Sequence, residues 1–244
     1  MYAWREQQGT LVRAVTDRHG GVSAAPFGGL NLGGHVGDDP RDVAANRAEL
    51  EVDLGLRLAF VDQVHGADVV HVTPALLDGP RSPSGALATG DALVTDVPGV
   101  ALAVLVADCT PVLVHDLDGP LVGAAHAGRP GMLAGVVPAL LRAMRDLGAG
   151  RLAAVVGPSV CGRCYEVPAS LREEAAHRAP AAVGVTWTGT PAIDVAAGVV
   201  EQLADAGVAT TWLPGCARED ERLYSYRRDG ATGRFAGVVG RTAS

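Results

Sequence analysis

Three potential metal ligands stand just past the ends of apolar, strand-like runs in this sequence. They are His65, Cys109 and His126, and each follows a run that should be buried. If those strands lie side by side, their carboxyl-terminal ends would bring two imidazoles and one thiolate together at one edge. Two histidines and one cysteine form a zinc site that leaves the fourth tetrahedral position open for water or substrate, which is the catalytic pattern. The spacings of 44 and 17 residues are not a local zinc signature, so ordinary polar residues at strand ends remain the alternative.

The same residues could also perform nucleophilic catalysis. In that hypothesis Cys109 attacks as a thiolate and His65 or His126 acts as its base. Asp108, next to the cysteine, could orient a histidine. A chelator separates the two hypotheses, because a zinc mechanism loses its activity when the metal is removed, whereas a free-thiolate mechanism keeps it.

Arg47 occupies the apolar face of a predicted helix. It shares that face with Val43, Leu50 and Leu54, because residues three and four positions apart are neighbours on a helix. One interpretation is that its aliphatic stem packs while its charged head reaches solvent. The other is that it binds an anion, since a guanidinium presents a rigid fork of donors to phosphate or carboxylate.

A glycine-dense segment spans residues 28–40, with the sequence Gly-Gly-Leu-Asn-Leu-Gly-Gly-His-Val-Gly-Asp-Asp-Pro. Its glycine spacing does not match a dinucleotide-binding fingerprint. The glycines are better explained by close backbone approach, either to a ligand or to a neighbouring strand. His35 within the segment is either a substrate contact or a turn histidine bonded to backbone.

Cys161 and Cys164 have the spacing of a redox or zinc-binding pair. Both functions are weakly supported, because a thioredoxin-type motif needs a helix that starts at its first cysteine, and no second CxxC completes a zinc site. In Gly157-Pro-Ser-Val-Cys, cysteine replaces the last glycine of the serine-hydrolase elbow. Serine hydrolysis is therefore unsupported.

The elements that must position these residues can be predicted from apolar patterning. Strands are predicted at residues 11–15, 58–61, 69–72, 92–95, 101–106, 112–115, 121–125, 152–156 and 209–213. Helices are predicted at residues 40–54, 131–147, 168–177 and 191–206, and Pro138 should kink or divide the second of them. Hairpin-like strands in the middle, with helices towards both ends, indicate a layered α/β fold with a mixed sheet. We predict one domain over residues 1–244.

All 20 cationic side chains of the 244 residues are arginine, which excludes Schiff-base lysines, P-loop lysines and lysine general bases. The net charge of −7 disfavours a nucleic-acid partner, which needs a basic stripe. No apolar run is long enough to span a membrane, and no secretory signal is visible. These features predict a cytoplasmic protein that acts on small molecules.

Several motifs occur in order along the chain. They are Gln63-Val-His-Gly, Asp108-Cys-Thr-Pro, Ala125-His-Ala-Gly, Gly157-Pro-Ser and Tyr224-Ser-Tyr-Arg-Arg-Asp-Gly-Ala-Thr-Gly-Arg, together with the glycine-dense segment and Asn46-Arg47. Jointly, over about residues 20–235, they resemble the YfiH family. Its members have been named multicopper polyphenol oxidase, purine nucleoside phosphorylase and peptidoglycan editing factor.

The resemblance implies a single-domain α/β sandwich that binds Zn²⁺. The ligands that it implies are His65, Cys109 and His126. It also implies that His35 is the conserved histidine of the glycine-rich segment and that Asn46 and Arg47 form the family's asparagine-arginine pair.

The other predicted site residues would bind substrate or act on it. We predict that Arg47 and Arg129 hold phosphate, and that Asp108 or His35 serves as the acid/base partner of a metal-activated water. The predicted substrate-binding residues are Asn31, Asn46, Gln63 and Arg129.

One departure from the family pattern concerns the phosphate site. After His-Ala-Gly the family usually continues Trp-Arg-Gly, whereas this chain has Arg129-Pro130-Gly131. Proline occupies the usual arginine position, so a phosphate contact made there is lost or is taken over by Arg129. Ala217 also stands where a threonine commonly follows the cysteine, which is a minor change.

We therefore predict a zinc-dependent purine nucleoside phosphorylase acting on adenosine, inosine or methylthioadenosine, with adenosine deamination as a further activity. An alternative is an amide hydrolase, using Cys109 or metal-bound water, that removes a misincorporated amino acid from a peptidoglycan precursor. A weaker alternative is a Cu²⁺-dependent polyphenol oxidase, because multicopper laccases need more than the seven histidines present. A non-enzymatic, zinc-stabilised binding protein would instead close the site with a fourth protein ligand.

Overall fold

The fold combines two mixed β-sheets with helices. A computed structural model describes residues 1–243. The strands are β1 (Tyr2–Gln8), β2 (Leu11–Thr16), β3 (Arg57–Ala59), β4 (Val69–His71), β5 (Ala92–Thr95), β6 (Val100–Val106), β7 (Thr110–Asp116), β8 (Val122–Ala127), β9 (Leu152–Val156), β10 (Val183–Val185), β11 (Pro191–Ile193), β12 (Ala209–Trp212) and β13 (Phe235–Arg241). The helices are α1 (Pro40–Leu54), α2 (Pro74–Leu77), α3 (Arg129–Ala134), α4 (Val136–Asp146), α5 (Ala169–Arg178), α6 (Val195–Asp205) and α7 (Tyr226–Asp229).

Both large sheets contain parallel and antiparallel pairs. The five-stranded sheet has the order β1-β2-β13-β6-β3, and its parallel pair is β3 with β6. The six-stranded sheet has the order β12-β9-β7-β8-β5-β4, with parallel pairs at its two edges. Strands β10 and β11 form a separate antiparallel pair. The predicted layered α/β class with mixed sheet is thus confirmed, although the layers contain two such sheets.

The two sheets pack face to face and helices cover their outer faces. Leu102 of β6 and Leu113 of β7 belong to the apolar cluster between the sheets. Leu50 of α1 packs on the other face of the five-stranded sheet, and Leu140 of α4 packs on the other face of the six-stranded sheet. Every residue of β6 and β7 is buried, as expected for strands that are covered on both faces.

Local signals place the first helix where the sequence predicted it. The side chain of Asp39 accepts a hydrogen bond from the backbone N–H of Arg41, Pro40 stands in the first turn, and Gly55 ends the helix in the left-handed conformation with φ 66°. An N-cap carboxylate, an early proline and a C-terminal glycine are the preferred residues at these positions. The predicted bounds of α1 are therefore confirmed.

Two predicted helices need correction. The helix predicted over residues 131–147 is divided at Gly135, which has φ 86°, and not at Pro138. Pro138 lies in the first turn of α4, where its missing N–H has no helical partner to lose. The helix predicted from residue 191 begins instead at Val195, capped by Asp194, because residues 191–193 form strand β11.

Four strands were not predicted from the sequence. Strands β10 and β11 have only three residues each, and β1 carries polar and charged residues at the edge of its sheet. Strand β13 is buried between β2 and β6.

Within residues 1–243, no helix is long and apolar enough to cross a bilayer.

Candidate metal centre

Antiparallel pairing of β7 and β8 brings two of the predicted ligands together. His126 is paired with Pro111, and Cys109 immediately precedes β7. The sequence prediction placed all three ligands just past the carboxyl-terminal ends of strands that lie side by side. Cys109 does follow β6, but β6 belongs to the other sheet, and His126 lies within β8. Cys109 approaches His126 because the amino-terminal end of β7 lies next to the carboxyl-terminal end of its antiparallel partner β8.

His65 reaches the same place from the loop between β3 and β4. Its backbone adopts φ 61°, a left-handed conformation that is uncommon outside glycine. The carboxylate of Asp91 stabilises this turn by accepting hydrogen bonds from the backbone N–H groups of Val64 at 3.2 Å, His65 at 2.9 Å and Gly66 at 2.7 Å. Asp91 is fully buried.

Asp91 also orients the second histidine. Its Oδ1 lies 2.9 Å from Nδ1 of His126, and its backbone carbonyl accepts from the His126 N–H at 2.7 Å. A carboxylate on Nδ1 places the proton there and leaves Nε2 as the ligand atom, an arrangement that recurs around metal-bound histidines. One carboxylate therefore holds both histidines.

Asp91 was missed by the sequence reasoning. The available signal was its position directly after the Pro/Gly/Ser-rich loop and directly before the buried strand β5. Strand β5 pairs with β8 so that Ala92 faces Ala125, which makes Asp91 and His126 neighbours across the sheet.

The three donor atoms have the spacing of a metal site. One ligand atom each from His65, Cys109 and His126 lies within 4.8 Å of the others, and Cys109 Sγ is 3.7 Å from His65 Nε2. The two imidazole rings are edge to face, with centroids 4.8 Å apart. Zinc bonds of about 2.0–2.3 Å require donor atoms about 3.3–3.8 Å apart, so a small contraction would complete the site.

Gly128 leaves room for the ion. A Cβ atom at this position would lie 2.6 Å from His65 Cδ2, 3.1 Å from Cys109 Sγ and 3.3 Å from His65 Nε2. Gly128 itself has φ −76° and ψ 170°, which any residue can adopt. The lack of a side chain is therefore required by the donor atoms rather than by the backbone.

The thiolate is electrostatically suited to a cation. Burial alone would raise the pKa of Cys109, but the imidazoles of His126 and His65 lower it to about 6. Burial would lower the pKa of His126, but Cys109 and Asp91 raise it to about 9, so a metal ion must displace a proton from this ring when it binds. Cys109 is thus a thiolate at neutral pH, the form in which cysteine binds metals and also acts as a nucleophile.

The three donors open into a cavity of about 420 Å³, within the size range of small-molecule sites. Its wall combines polar and aromatic side chains. The polar and aromatic lining residues besides the three donors are His35, Gln63, Asp108, Arg129, Tyr165, Tyr226, Arg227 and Arg234.

Two predicted site residues line this cavity with groups that can contact a ligand. His35 lines the cavity, and partial loss of solvation, followed by the charge of Arg234, lowers its pKa, which favours the neutral imidazole. Arg129 also lines the cavity, and its Nη1 lies 3.9 Å from a carboxylate oxygen of Glu174. Both stay candidate substrate contacts.

Two other predicted residues line the cavity, but their polar side-chain atoms are hydrogen-bonded to other parts of the protein. The amide of Gln63 pairs with the backbone of Leu105, donating to its carbonyl and accepting from its N–H, both at 2.8 Å. The carboxylate of Asp108 accepts from Ser225 Oγ and from the Arg227 N–H, both at 2.6 Å. Asp108 thus positions the segment around α7, and the structure does not support its predicted role as acid/base partner.

Arg47 does not line the cavity. Its Nε and Nη2 donate to the carbonyl of Leu32 at 2.9 and 2.7 Å, and its Nη1 donates to the carbonyl of Ser84 at 2.7 Å. The guanidinium also lies 4.3 Å from the ring centroid of Phe60, and burial lowers its pKa to about 10. The structure therefore supports neither interpretation, because backbone carbonyls bind the guanidinium of the half-buried Arg47 away from the cavity.

The predicted substrate-binding residues Asn31 and Asn46 are fully buried. The amide of Asn46 donates to the backbone carbonyls of Gly29 and Asn31 and accepts from the Val22 N–H. Asn31 Oδ1 accepts from the N–H groups of Gly33 and Arg234. These amides hold the glycine-dense segment together, so the predicted contact with substrate is not supported for either residue.

Arg234 is a cationic residue of the cavity for which the sequence predicted no role. It lines the cavity beside the three donors, and its Nη1 donates to the carbonyls of Thr232 and Gly233 at 2.9 Å. Within residues 1–243, its Nε and Nη2 have no hydrogen-bond acceptor, so they can bind an anion. The signal was its place at the end of the motif that begins at Tyr224.

Replacing Asp91 with asparagine is expected to weaken metal binding about 10–100-fold, the usual effect of losing a hydrogen-bond partner of a metal-bound histidine. An amide has one acceptor oxygen, and its NH₂ group would face donors that now point at a carboxylate. Competition with a coloured chelator measures the affinity. Asp68→Asn, a change of an exposed carboxylate in the neighbouring loop, is the matched control. Wild-type affinity in a folded Asp91→Asn protein would contradict this role.

Comparison with known proteins gives a consistent result. Residues 12–242 match the family model described as multi-copper polyphenol oxidoreductase laccase. The chain is 53% identical over 232 residues to "Purine nucleoside phosphorylase ORF3" of Streptomyces griseus, covering 93% of this chain and 92% of that protein. It is 47% identical to "Purine nucleoside phosphorylase Rv2149c" of Mycobacterium tuberculosis, covering 93% and 90%.

Solved structures agree with these sequence matches. YlmD from Geobacillus stearothermophilus superposes with a TM-score of 0.88 at 32% identity and covers 98% of both chains. YfiH from Bacillus licheniformis superposes with a TM-score of 0.87 at 29% identity, covering 95% of this chain and 93% of that one.

Proposed function

We propose that this chain, which belongs to the multi-copper polyphenol oxidoreductase laccase family that includes YfiH, is a zinc-dependent purine nucleoside phosphorylase. The observation that carries the proposal is the cavity in which three metal donors lie beside Arg234, whose Nε and Nη2 have no hydrogen-bond acceptor within residues 1–243. The relatives named purine nucleoside phosphorylase, which match nearly the whole chain, support the choice of reaction.

Phosphorolysis requires that phosphate be held against the sugar. A phosphate oxygen forms a bond to C1′ of the ribose, the bond between C1′ and the purine nitrogen breaks, and its electron pair leaves with the base, which takes up a proton. We assign phosphate binding to Arg234 through Nε and Nη2, assisted by Arg129, because an arginine presents two parallel donors to phosphate. This assignment replaces Arg47 of the sequence prediction.

The aromatic side chains give the purine a surface. Tyr226 lines the cavity with 63% of its surface exposed, and Tyr165 lines it with the guanidinium of Arg227 4.6 Å from its ring centroid. Purine rings stack on aromatic faces. The neutral imidazole of His35 offers one N–H donor and one acceptor nitrogen, and we assign it a hydrogen bond to the substrate.

The metal would be held by His65, Cys109 and His126. A zinc ion bound there would act as a Lewis acid towards developing negative charge. Zinc fits a donor set of two imidazoles and one thiolate. The copper alternative is less well supported, because the second group of potential metal ligands within residues 1–243, formed by Cys161, Cys164, Cys216 and Glu219, contains no histidine.

The proposal is tested by incubating metal-quantified protein with adenosine, inosine or methylthioadenosine, with and without phosphate, and separating the products. We expect free base and the corresponding sugar 1-phosphate (ribose 1-phosphate, or 5-methylthioribose 1-phosphate from methylthioadenosine) only when phosphate is present. Ammonia release from adenosine would reveal the additional deaminase activity. Release of an amino acid from a muramyl nucleotide, with no reaction on nucleosides, would overturn the proposal in favour of the amide hydrolase.

Replacing Arg234 with glutamine is expected to raise KM for phosphate about 10–100-fold, because charge-assisted hydrogen bonds contribute about 1.5–3 kcal/mol. KM for the nucleoside should change much less. Initial rates over a matrix of phosphate and nucleoside concentrations measure both constants. Arg151→Gln, in which an exposed arginine paired with Asp118 is changed, is the control. An unchanged phosphate KM in the Arg234 variant would rule out this assignment.

A further inference from the structure

A second cluster of potential metal ligands lies outside the three-donor site. It comprises Cys161, Cys164, Cys216 and Glu219, and the three sulfurs and one carboxylate oxygen lie within 4.8 Å of one another. Cys164 and Cys216 are buried, whereas Glu219 is exposed. All three cysteines are free thiols.

Two tight turns present these donors. In the first, the carbonyl of Cys161 accepts from the N–H groups of Cys164 at 2.9 Å and Tyr165 at 3.0 Å. In the second, the carbonyl of Cys216 accepts from the Glu219 N–H at 3.0 Å. Each turn thus places two donors three residues apart, as Cys-x-x-Cys and as Cys-x-x-Glu.

The backbone joins the two turns. Ser159 and Cys216 form an isolated parallel bridge, and the Ala217 N–H donates to the Ser159 carbonyl at 2.9 Å. The sequence interpretation considered only a second CxxC, and the chain contains none. The structure instead places Cys216-x-x-Glu219 beside the first pair.

The side chains already face one another. Cys216 Sγ accepts a hydrogen bond from the Cys161 N–H at 3.4 Å, and Cys164 Sγ lies 3.3 Å from Glu219 Oε1. Donors bound to one zinc ion lie about 3.3–3.8 Å apart, given bonds of about 2.0–2.3 Å. The cluster therefore needs only a slight contraction to surround an ion.

We propose that this cluster binds a second zinc ion, in a closed structural site with three thiolates and one carboxylate as ligands. Four protein ligands in tetrahedral geometry distinguish a structural zinc site from a catalytic one, and soft thiolates favour zinc over hard cations such as Mg²⁺ or Ca²⁺. Each cysteine gives up its thiol proton to solvent when it coordinates, so no oxidant or reductant is needed.

We expect a metal ion in this cluster to make one wall of the three-donor cavity more rigid. The segment that carries the first turn also carries Val160 and Tyr165, which line the cavity. The carbonyl of Ala217 accepts from Arg228 Nη1 at 3.0 Å, which connects the second turn to α7. A metal that joins the two turns would therefore stabilise this wall, whatever reaction the cavity performs.

Metal counting on the full chain tests the proposal. We expect two zinc ions per wild-type chain after reconstitution and dialysis, one in Cys109→Ser and one in Cys216→Ser. Wild-type protein and folded Cys216→Ser protein with the same zinc content would overturn the proposal. A disulfide among Cys161, Cys164 and Cys216 in protein isolated without oxidant, detected by mass spectrometry, would also overturn it.

Cobalt substitution tests the ligand set without disturbing the cluster. In Co²⁺-loaded Cys109→Ser protein, we expect sulfur-to-cobalt absorption about three times that of Co²⁺-loaded Cys216→Ser protein, because three thiolates replace one. Equal absorption in the two proteins would contradict a three-thiolate site.

The fourth ligand has its own control. Glu219→Gln should bind the second zinc at least 10-fold more weakly, whereas Glu221→Gln, which changes a nearby residue outside the cluster, should bind it like the wild type. Equal affinities in the two variants would exclude Glu219 as a ligand.

Discussion

Replacing Gly128 with alanine is expected to abolish metal binding at His65, Cys109 and His126 and to reduce phosphorolysis by about 1,000-fold. The added Cβ would lie 2.6 Å from His65 Cδ2, closer than packed atoms allow, and 3.1 Å from Cys109 Sγ, which is a tight contact, so the donor side chains must shift. Loss of the metal removes several kcal/mol of charge stabilisation, and about 4 kcal/mol corresponds to 1,000-fold in rate.

The Gly128→Ala protein should nevertheless fold. The backbone at Gly128 lies in a region that alanine adopts readily, so the strain is confined to the donor atoms. Gly28→Ala is the matched control, because a Cβ at Gly28 would have no neighbour closer than 4.0 Å. Metal content, circular dichroism and initial rates should be measured for both variants. A folded Gly128→Ala protein with full metal content would show that the cavity does not hold the ion where we place it.

Replacing Cys109 with alanine is expected to have an effect of similar size, about 1,000-fold or more on phosphorolysis, with loss of the metal from this site. The thiolate is one of only three protein donors, and its charge balances the cation. Because a nucleophilic cysteine would also be essential, the activity of this variant alone does not choose between the two mechanisms.

Chelation makes that choice. If the metal is required, metal-free wild-type protein should be as inactive as Cys109→Ala, and added zinc should restore only the wild type. If Cys109 acts as a free nucleophile, metal-free wild-type protein should retain its activity. Retained activity would refute the zinc mechanism while leaving the second, structural site to be judged by its own metal content.

The elements that could be predicted from sequence are those with signals in neighbouring residues. Helix α1 was predicted with its correct bounds because Asp39, Pro40 and Gly55 mark its two ends locally. Strands β5 and β9 were predicted with their correct bounds because each is a short run of mostly apolar residues bounded by polar residues or by glycine and proline. Strand β1 was not predicted, because its own residues are largely polar. It forms a strand at the edge of the sheet because it pairs with β2.

The site was only partly predictable. The types and strand-end positions of His65, Cys109 and His126 indicated a metal site, but those signals could not reveal Asp91, whose role depends on contacts with residues 64–66 and with His126. The same limit explains why the structure does not support the substrate-binding roles predicted for Arg47, Asn31 and Asn46. Each has a residue type that binds substrates in other proteins, and each is used here to hold a glycine-dense backbone.

The amino-acid sequence by itself was sufficient to predict most helices and strands and the family to which the chain belongs. Helix caps, apolar periodicity and motifs can be recognised from a few neighbouring positions. Tertiary structure alone decided which polar groups remain free. Asp108 and Arg47 are satisfied by partners 117 and 37 residues away, whereas Nε and Nη2 of Arg234 have no acceptor within residues 1–243. A hydrogen bond depends on distance in space, and that distance follows from strand pairing and sheet packing.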